Sequence, residues 1–353
     1  QRTIEGQRKI IEQQSAELKE IRAVASKTEG ASPLLWKLSE KVSLSGLVEV
    51  EAFARDGYEG EDESDITLAT VEVGLDAEIC EWVSAHILLL WEEDDTEPLD
   101  VDEATVTIGD TERFPLYVSA GKMYVPFGSF ESNMIQDPLT LELGETRESA
   151  VQLCLEFKGF HSSVYAFNGD IDETGNDEEV NSFGASAGYA FETNTMALDL
   201  GVGWISNIAD SDGLTDALPA EIQDHVEGIT AHALFNYGPF GLMVEYVSAL
   251  DEFKRGELAF DGSGARPASW NVEAAYTNEI LGKETTFALG YQGTDEAVAL
   301  DLPKHRYLAT IGMQILKNTT LALEYLHDED YPQRDGGTGG EADQVTVQVA
   351  VEF

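Results

Sequence analysis

Residues 343–353, DQVTVQVAVEF, decide the fold class of this chain. Valine occupies every second position from Val345 to Val351, and the residues between are polar or small. A period of two predicts a β-strand with one apolar and one polar face. The same alternation recurs at 196–204, 229–237 and 321–325.

Sixteen candidate strands follow one another from Lys41 to the last residue. They begin near residues 42, 66, 82, 101, 115, 147, 159, 181, 195, 226, 239, 268, 284, 304, 318 and 343. Tight turns alternate with long loops at 57–65, 92–100, 125–146, 169–180, 206–225, 251–267, 295–303 and 328–342. Short periplasmic turns and long external loops are typical of outer-membrane barrels. The sequence therefore predicts an all-β membrane protein, a 16-stranded antiparallel transmembrane β-barrel over residues 41–353 with both termini periplasmic.

The strands of a soluble β-sandwich or propeller would also alternate apolar and polar residues. Three features favour the membrane barrel instead. Aromatic residues stand at strand ends, like the girdles at membrane interfaces: Trp82, Trp91, Phe157, Phe160, Tyr237, Phe240, Tyr276, Phe287 and Tyr325. The opposite strand faces are small and polar, as a water-filled lumen requires. The chain ends on Phe353, which resembles the C-terminal signal for barrel assembly. We expect a bacterial outer-membrane location, with a signal peptide already removed before Gln1.

Composition narrows the class of partner. The 353 residues include 67 acidic and 21 basic ones, a formal charge of −46. Such a charge argues against nucleic acid and favours cations. No run of about 18 apolar residues occurs, so no transmembrane helix is predicted. Two cysteines, Cys80 and Cys154, fall on non-adjacent predicted strands, and we expect free thiols.

The first 30 residues form a separate element in this interpretation. Ile4, Ile11, Leu18 and Ala25 recur every seven residues in a polar segment, which predicts a periplasmic helix over 1–30, a possible coiled coil. The alternatives are a trimeric stalk and a solvated amphipathic helix. Residues 31–40 are the predicted linker to the barrel.

Alternation also assigns side chains to the lumen. The predicted lumen acids are Glu49, Glu51, Glu72, Asp76, Glu103, Glu156, Asp199, Glu245, Glu273, Glu324 and Glu352. The predicted lumen bases are few, chiefly Arg55, Arg147 and Arg306. Carboxylates lining a narrow pore favour cations. The alternative is a wide pore that these acids merely solvate, with weak discrimination.

The loop at 125–146, after the fifth strand, is the sharpest local feature. It is rich in apolar residues, namely Phe127, Phe130, Met134, Ile135, Leu139, Leu141 and Leu143. Folding back into the barrel would bury them and narrow the pore. The predicted constriction residues are Glu131, Asp137, Glu142, Glu145 and Arg147. The alternatives are packing on the barrel rim and a subunit contact.

Residues 121–150, GKMYVPFGSFESNMIQDPLTLELGETRESA, resemble the LbtU family of siderophore porins. The order of parts agrees over essentially the whole chain. The resemblance implies an outer-membrane location and uptake of iron-chelating small molecules. Phosphate-selective porins share the "GK…PFG" element, but they need a basic lumen, so we reject anion selectivity.

The acidic loops also suggest a weak calcium site. Its candidate ligands are Asp170, Asp172, Asp177 and Glu178. Oxygen ligands of this kind suit Ca²⁺, but Asn181 stands where a calcium loop has its final glutamate. The alternatives are simply solvated loops and loops that bridge lipopolysaccharide through divalent ions.

The sequence thus predicts a porin and no enzyme. The six histidines stand in no recognisable catalytic or metal-spaced motif, and no cofactor other than loop calcium is expected. The predicted function is passive or facilitated diffusion of small hydrophilic solutes, cation-preferring, through a homotrimer, with metal chelates among the solutes. The alternative is a structural anchor or tether that uses the N-terminal helix.

Overall fold

Sixteen antiparallel strands close into a barrel in the computed structural model, which describes residues 41–93, 96, 98–111, 113–175 and 180–353. Each strand pairs with its neighbours along the chain, and the last pairs with the first. We number the barrel strands β1 Val42–Asp56, β2 Asp62–Cys80, β3 Val83–Trp91, β4 Asp100–Gly109, β5 Leu116–Tyr124, β6 Arg147–Phe157, β7 Phe160–Phe167, β8 Ser182–Glu192, β9 Met196–Ile205, β10 Gly228–Tyr237, β11 Phe240–Ala249, β12 Ala268–Ile280, β13 Lys283–Asp295, β14 His305–Leu316, β15 Thr319–Glu329 and β16 Glu341–Glu352. Closure leaves no open sheet edge, which a bilayer requires because it offers backbone groups no water.

The predicted strand count and order are confirmed, and the strand starts differ by four residues at most. The largest difference is at β2, which begins at Asp62 rather than near 66 because residues 62–65 pair with β1. Acidic side chains on both faces of this extension remove the alternation that marks a strand. The predicted helix at 1–30 and linker at 31–40 lie outside the described residues.

Helix is scarce in the described part of the chain. The two α-helices, α1 Leu139–Gly144 and α2 Asp212–Ala217, have six residues each. Single 3-10 turns occur at Ile208–Asp210, Val298–Leu300 and Gln333–Asp335. None of the described helices has the length and apolar character needed to span a membrane.

Tight turns gather at one end of the barrel and long loops at the other. The turns between β6 and β7 and between β12 and β13 each have two residues, both with positive φ: Lys158 (52°) with Gly159 (86°), and Leu281 (55°) with Gly282 (73°). Two consecutive positive φ values are the geometry that matches strand twist in a two-residue hairpin. The longest loops, 125–146 and 206–227, both lie at the opposite end.

The outward face is apolar on nearly every strand, as lipid requires. Along β16, Val345, Val347, Val349 and Val351 are exposed, at 37–45% of their surface. An aromatic belt runs along the turn end, formed by Trp82, Phe157, Phe160, Tyr237, Phe240, Tyr276 and Phe287. A second group, including Tyr246, Tyr291, Tyr307 and Tyr325, lies nearer the long loops.

One glycine lies at the C-terminal end of the barrel seam, which pairs β1 with β16. The Phe353 N–H donates to the Gly46 carbonyl oxygen at 3.0 Å, and the Gly46 N–H donates to that of Phe353 at 2.9 Å. The Phe353 ring lies over Gly46, where a Cβ would meet the ring at 2.4 Å. The predicted role of Phe353 in assembly stays a prediction, since contacts in the closed barrel do not test it.

The main buried core lies beneath the long loops. Apolar residues from the loops after β5, β9 and β11 pack together, among them Phe127, Leu143, Ile208, Leu214 and Phe253. Helix α2 packs on α1, where the Asp212 N–H donates to the Glu145 carbonyl oxygen at 2.9 Å. The loops at 206–227 and 250–267 therefore have apolar undersides that their acidic composition does not indicate.

Candidate functional site

The loop at 125–146 leaves the end of β5 and crosses the lumen to the wall formed by β11 to β15. Its helix α1 packs against β11, β12 and β13. The wall side chains that it meets point inward, because their neighbours in sequence, such as Val244, Val272 and Leu323, are exposed on the outer face. The loop thus lies against the inner wall of the barrel.

Glu245 on β11 holds the first part of the loop. Its carboxylate accepts the backbone N–H groups of Ser129 at 2.7 Å and Phe130 at 3.0 Å. It also accepts the hydroxyl of Thr140 at 3.1 Å. Glu245 is 4% exposed, so these donors replace the water that the carboxylate loses on burial.

Glu273 on β12 holds the next segment. Its carboxylate accepts the Ser132 hydroxyl at 2.6 Å and the Asn133 N–H at 2.8 Å. The Asn133 side-chain amide donates to it at 3.2 Å, and the Asn271 amide from the same strand donates at 3.0 Å.

Glu324 on β15 and Gln292 on β13 hold the loop beyond its middle. Glu324 accepts the N–H groups of Ile135 at 2.7 Å and Gln136 at 3.1 Å. Gln292 accepts the Leu139 N–H at 3.0 Å, at the start of α1. We call Glu245, Glu273, Gln292 and Glu324 the latch.

The latch has a physical reason in the irregular backbone of the loop. Peptide N–H groups outside regular structure need acceptors when they are buried. A carboxylate offers two oxygens that can serve two or more donors, and such bonds are stronger than neutral ones. Sequence alternation places Glu245, Glu273 and Glu324 on the lumen face, and the loop covers them there, so their charge is directed to the loop.

Two glycines let the loop fold tightly around Phe130. Phe130 has a φ of 51°, and its ring lies over Gly128 and Gly144, where a Cβ would come within 2.4 and 2.8 Å of it. Phe127 and Leu143 are 1% and 0% exposed. The apolar residues that make this loop unusual in the sequence thus form its anchored underside.

The structure places the predicted constriction residues at several points along the loop and at the start of β6. Asp137 is exposed in the lumen, at the bend before α1. Glu131 lies near the turn end of β10 to β12, beside Asn236 and Thr277. Glu142 and Glu145 lie on or just after α1, on the side of α2. Glu131 therefore lies apart, whereas Asp137, Glu142 and Glu145 are close enough for their charges to interact.

Glu145, just after α1, has a raised pKa. Burial raises its pKa to about 8, and the carboxylate of Asp212 adds to the shift, followed by those of Asp137 and Asp102. Its charge therefore changes in the mildly alkaline range.

Arg147 is held in an ion pair at the start of β6. Its Nη1 lies 2.6 Å from Asp102 Oδ1 and 3.4 Å from Asp100 Oδ2 on β4. Tyr124 donates its hydroxyl to the same Asp102 oxygen at 3.0 Å, and Lys122 lies 3.1 Å from Asp100. These bases hold the end of β5 and the start of β6 against β4. The loop at 125–146 joins those two strand ends.

Other predicted lumen groups also form pairs along the barrel. Asp76 lies 2.7 Å from His86, and Asp199 lies 3.4 Å from His232. Tyr117 donates to Glu156 at 2.9 Å. Arg306, a predicted lumen base, binds Asp328 through two nitrogens at 2.8 and 2.9 Å.

Four of the remaining predicted acids lie on strands that follow β15 across the seam between β16 and β1, where Glu51 is close enough to Glu324 for their charges to interact. The fifth, Glu352, is the last residue of β16. Glu49 and Glu51 on β1, Glu72 on β2 and Glu103 on β4 are all half-buried. Gln348 donates to Glu51 at 2.8 Å. No lysine or arginine in the described part of the chain forms an ion pair with these four carboxylates.

The calcium candidate is only partly within the described residues, because Asp177 and Glu178 fall outside them. The backbone of Asp172 pairs with that of Glu221, and its N–H donates to Ala220. Within the described ranges, no three His, Cys, Asp or Glu side chains are placed to hold a metal. Loop calcium therefore stays a prediction. Cys80 on β2 and Cys154 on β6 are free thiols on non-adjacent strands.

The barrel and its internal loop define a class by fold, the porin-like β-barrel with 16 strands. The outer-membrane channel DcaP of Acinetobacter baumannii has a TM-score of 0.59 and 15% identity, over 88% of this chain and 97% of that one. OprB of Pseudomonas putida has a TM-score of 0.62 and 10% identity, over 89% and 94%. OmpF of Salmonella typhi, in complex with daunomycin, has 0.59 and 10%, over 88% and 97%. These similarities establish the fold.

The sequence relatives are more specific: the chain is a homologue of the UPF0422 proteins. It is 31% identical to a UPF0422 protein of Coxiella burnetii over 309 residues, 85% of this chain. It is 31% identical to the UPF0422 protein lpg2959 of Legionella pneumophila over 357 residues, 88% of this chain. The chain spans 66% of each relative, just under two thirds. No family model matches it, and the siderophore-porin resemblance stays an expectation.

Proposed function

We propose that this chain is an outer-membrane porin in which the loop at 125–146 narrows the lumen and small hydrophilic solutes diffuse past it with a preference for cations. The observation that carries the proposal is the latch, which binds this loop to the inner wall through buried side chains of four strands. A loop held at so many points narrows the opening permanently. Asp137 on the loop and the acids of the facing wall keep contact with solvent, which supports a water-filled path between them.

The balance of charges supports the cation preference. Glu49, Glu51, Glu72 and Glu103 lie on the open side of the path, whereas Arg147 and Arg306 are neutralised by acids at 2.6 to 2.9 Å. A path with unneutralised carboxylates and low-dielectric walls concentrates cations and repels anions. The path therefore suits inorganic cations, small organic amines and neutral polar molecules.

Small metal chelates belong to the proposed solutes on the ground of the siderophore-porin resemblance. The acid wall favours chelates that are neutral or cationic over anionic ones. We also propose a homotrimer with both termini on the periplasmic side, which fits the porin class and the even number of strands. The alternative tether function depends on residues 1–30; their deletion would leave solute passage intact in a porin and abolish envelope attachment in a tether.

Liposome swelling tests the proposal with solutes of matched size. Vesicles containing the purified protein should swell faster with a small organic amine salt or a neutral sugar than with an organic acid salt of the same mass. Vesicles without protein provide the baseline. Swelling indistinguishable from that baseline would refute the channel, and faster entry of the organic acid would refute the cation preference.

A further inference from the structure

A symmetric row of side chains crosses six adjacent strands of the barrel, from β6 to β11. Each member is paired in register with the next, and their order is Glu156, His161, Gly188, Gly201, His232 and Glu245. We call these six residues the histidine row. Directly paired side chains lie on the same face of a sheet. That face is the inner one, because Leu200 and Val244, which adjoin row members in sequence, are exposed on the outer face.

The two glycines of the row make room for the two imidazoles. A Cβ at Gly188 would collide with the ring of His161, and a Cβ at Gly201 would collide with the ring of His232. Each imidazole therefore lies over the glycine of the next strand and leans toward the other imidazole. The backbones of β7 and β10 are three strand spacings apart, about 14 Å, and the leaning rings shorten the gap between the two side chains.

Asp199 lies beside this gap, two residues from Gly201 on β9. Its Oδ1 lies 3.4 Å from His232 Nε2, and its carboxylate is close enough to His161 for their charges to interact. The contact with His232 is longer than an ordinary hydrogen bond, and within the described residues His232 Nδ1 has no hydrogen-bond partner. The side chains of His232 and Asp199 are 13% and 19% exposed, so an ion in the lumen can reach them.

The surroundings of the gap favour a positive ion of a particular kind. Strands β7 to β10 contain no lysine or arginine, and the carboxylates of Glu156 and Glu245 stand at the two ends of the row. Imidazole is a ligand that suits Zn²⁺, Ni²⁺ and Cu²⁺, whereas Mg²⁺ and Ca²⁺ prefer oxygen ligands. Carboxylates beside the imidazoles of a metal site commonly orient them. Two imidazoles that converge on one carboxylate therefore suit a divalent transition-metal ion.

We propose that the histidine row binds a hydrated divalent transition-metal ion in the lumen, with His161, Asp199 and His232 as its protein ligands. As they stand, no three such side chains in the described ranges surround one point, so the site forms when the ring of His161 turns toward Asp199. Water keeps the remaining coordination positions. The proposal rests on the cation-preferring pore of the proposed function and names a class of cation that the pore passes. Such binding must be weak enough for the ion to leave again, as passage requires.

Isothermal titration calorimetry of the detergent-purified full chain, without a histidine tag, tests the binding. Excess Mg²⁺ in the buffer occupies the carboxylates of the acidic loops. Under these conditions Ni²⁺ should bind saturably at one site per chain, and Ca²⁺ should give no saturable heat. The absence of saturable heat with Ni²⁺, or equal heats with Ni²⁺ and Ca²⁺, would overturn the proposal.

Variants locate the site. His161→Asn and His232→Asn should each weaken Ni²⁺ binding at least tenfold, because each removes one imidazole ligand. The matched control His327→Asn makes the same change on the outward face of β15 and should bind Ni²⁺ like the unmodified protein. His161 makes no contact with the latch, so its variant covers the case in which His232→Asn disturbs Glu245 and the loop. Unchanged Ni²⁺ affinity in both row variants would refute the assignment.

Single-channel recording links the site to passage through the pore. Ni²⁺ should interrupt the K⁺ current at a concentration at which Mg²⁺ has no effect, and His161→Asn should need at least tenfold more Ni²⁺ for the same interruption. Equal effects of Ni²⁺ and Mg²⁺ on a conducting channel would refute this proposal and leave the porin standing. Saturable Ni²⁺ binding by a protein that carries no current would instead refute the pore.

Discussion

Release of the latch should widen the channel, and Glu273 is the place to begin. Its carboxylate accepts three hydrogen bonds from the loop, two of them from Asn133, and one from Asn271. Glu273→Gln keeps the shape of the side chain but replaces one acceptor oxygen with an NH₂ group. At least one donor of the loop or wall then faces another donor.

The magnitude follows from the bonds affected. A hydrogen bond to a charged group contributes about 1.5–3 kcal/mol, and a neutral one about half of that. Losing one bond and weakening the others should cost the attached state of the loop about 2–4 kcal/mol. At about 1.4 kcal/mol per factor of ten, the ratio of attached to released loop falls roughly 30- to 700-fold. Burying a neutral amide is cheaper than burying a carboxylate, so these figures are upper bounds. The ionic current is the measurement, because it reports directly on release of the loop.

Single-channel recording in planar bilayers is the assay. Glu273→Gln alone should add current noise and brief larger openings, because Glu245, Gln292 and Glu324 still hold the loop. The triple variant Glu245→Gln, Glu273→Gln and Glu324→Gln should raise the mean conductance.

The matched control is Glu156→Gln, which makes the same chemical change on a strand carboxylate hydrogen-bonded to Tyr117 and not to the loop. Its mean conductance should not rise and its current should show no added noise. If the triple variant has the conductance and noise of the unmodified channel, the latch does not set the opening and the reasoning is refuted.

Three further predictions concern acidity and packing. Because the pKa of Glu145 is raised to about 8, its negative charge appears as pH rises through that value, and the permeability ratio of K⁺ over Cl⁻ should increase between pH 7 and 9. The variant Glu145→Gln should flatten that increase. An equal increase in the variant would exclude Glu145 as its source. A Cβ at Gly144 would lie 2.8 Å from Phe130 Cζ, so Gly144→Val should displace the Phe130 ring, loosen the loop and raise the conductance. An unchanged conductance would show that this packing is dispensable. Gly46→Val should strain the seam at Phe353 and lower the temperature at which the barrel unfolds, measured by the shift in its migration on a gel after heating. An unfolding temperature equal to that of the unmodified protein would count against the seam contact.

The barrel itself could be predicted from the sequence because alternation is a local signal. Each strand faces lipid on one side, so Val345 to Val351 reveal the orientation of β16 without knowledge of any other strand. The predicted start of β2, near residue 66, missed residues 62–65, because this part of the strand has acidic side chains on both faces and no alternation. The alternation of apolar and polar residues along a strand thus stops where the strand extends beyond the apolar part of the bilayer.

The site was only partly predictable, because its contacts join residues far apart in the chain. The apolar composition of the loop indicated that it must bury Phe127 and Leu143. Alternation placed Glu245, Glu273 and Glu324 on the lumen face, but it could not show that the loop covers them. The partners Ser132 and Glu273 are 141 positions apart, and no sequence pattern links them. Gln292 was missed altogether, because a lone neutral amide on a strand gives no signal.

The reversal potential of the channel in a KCl gradient tests the central claim most directly. A bilayer holding the purified protein between concentrated and dilute KCl at pH 8.5 or above should develop a potential showing that K⁺ permeates in preference to Cl⁻. Glu49→Gln with Glu72→Gln, on the open wall, should reduce that potential toward zero. A potential of the opposite sign, or no ionic current at all, would contradict a cation-preferring porin.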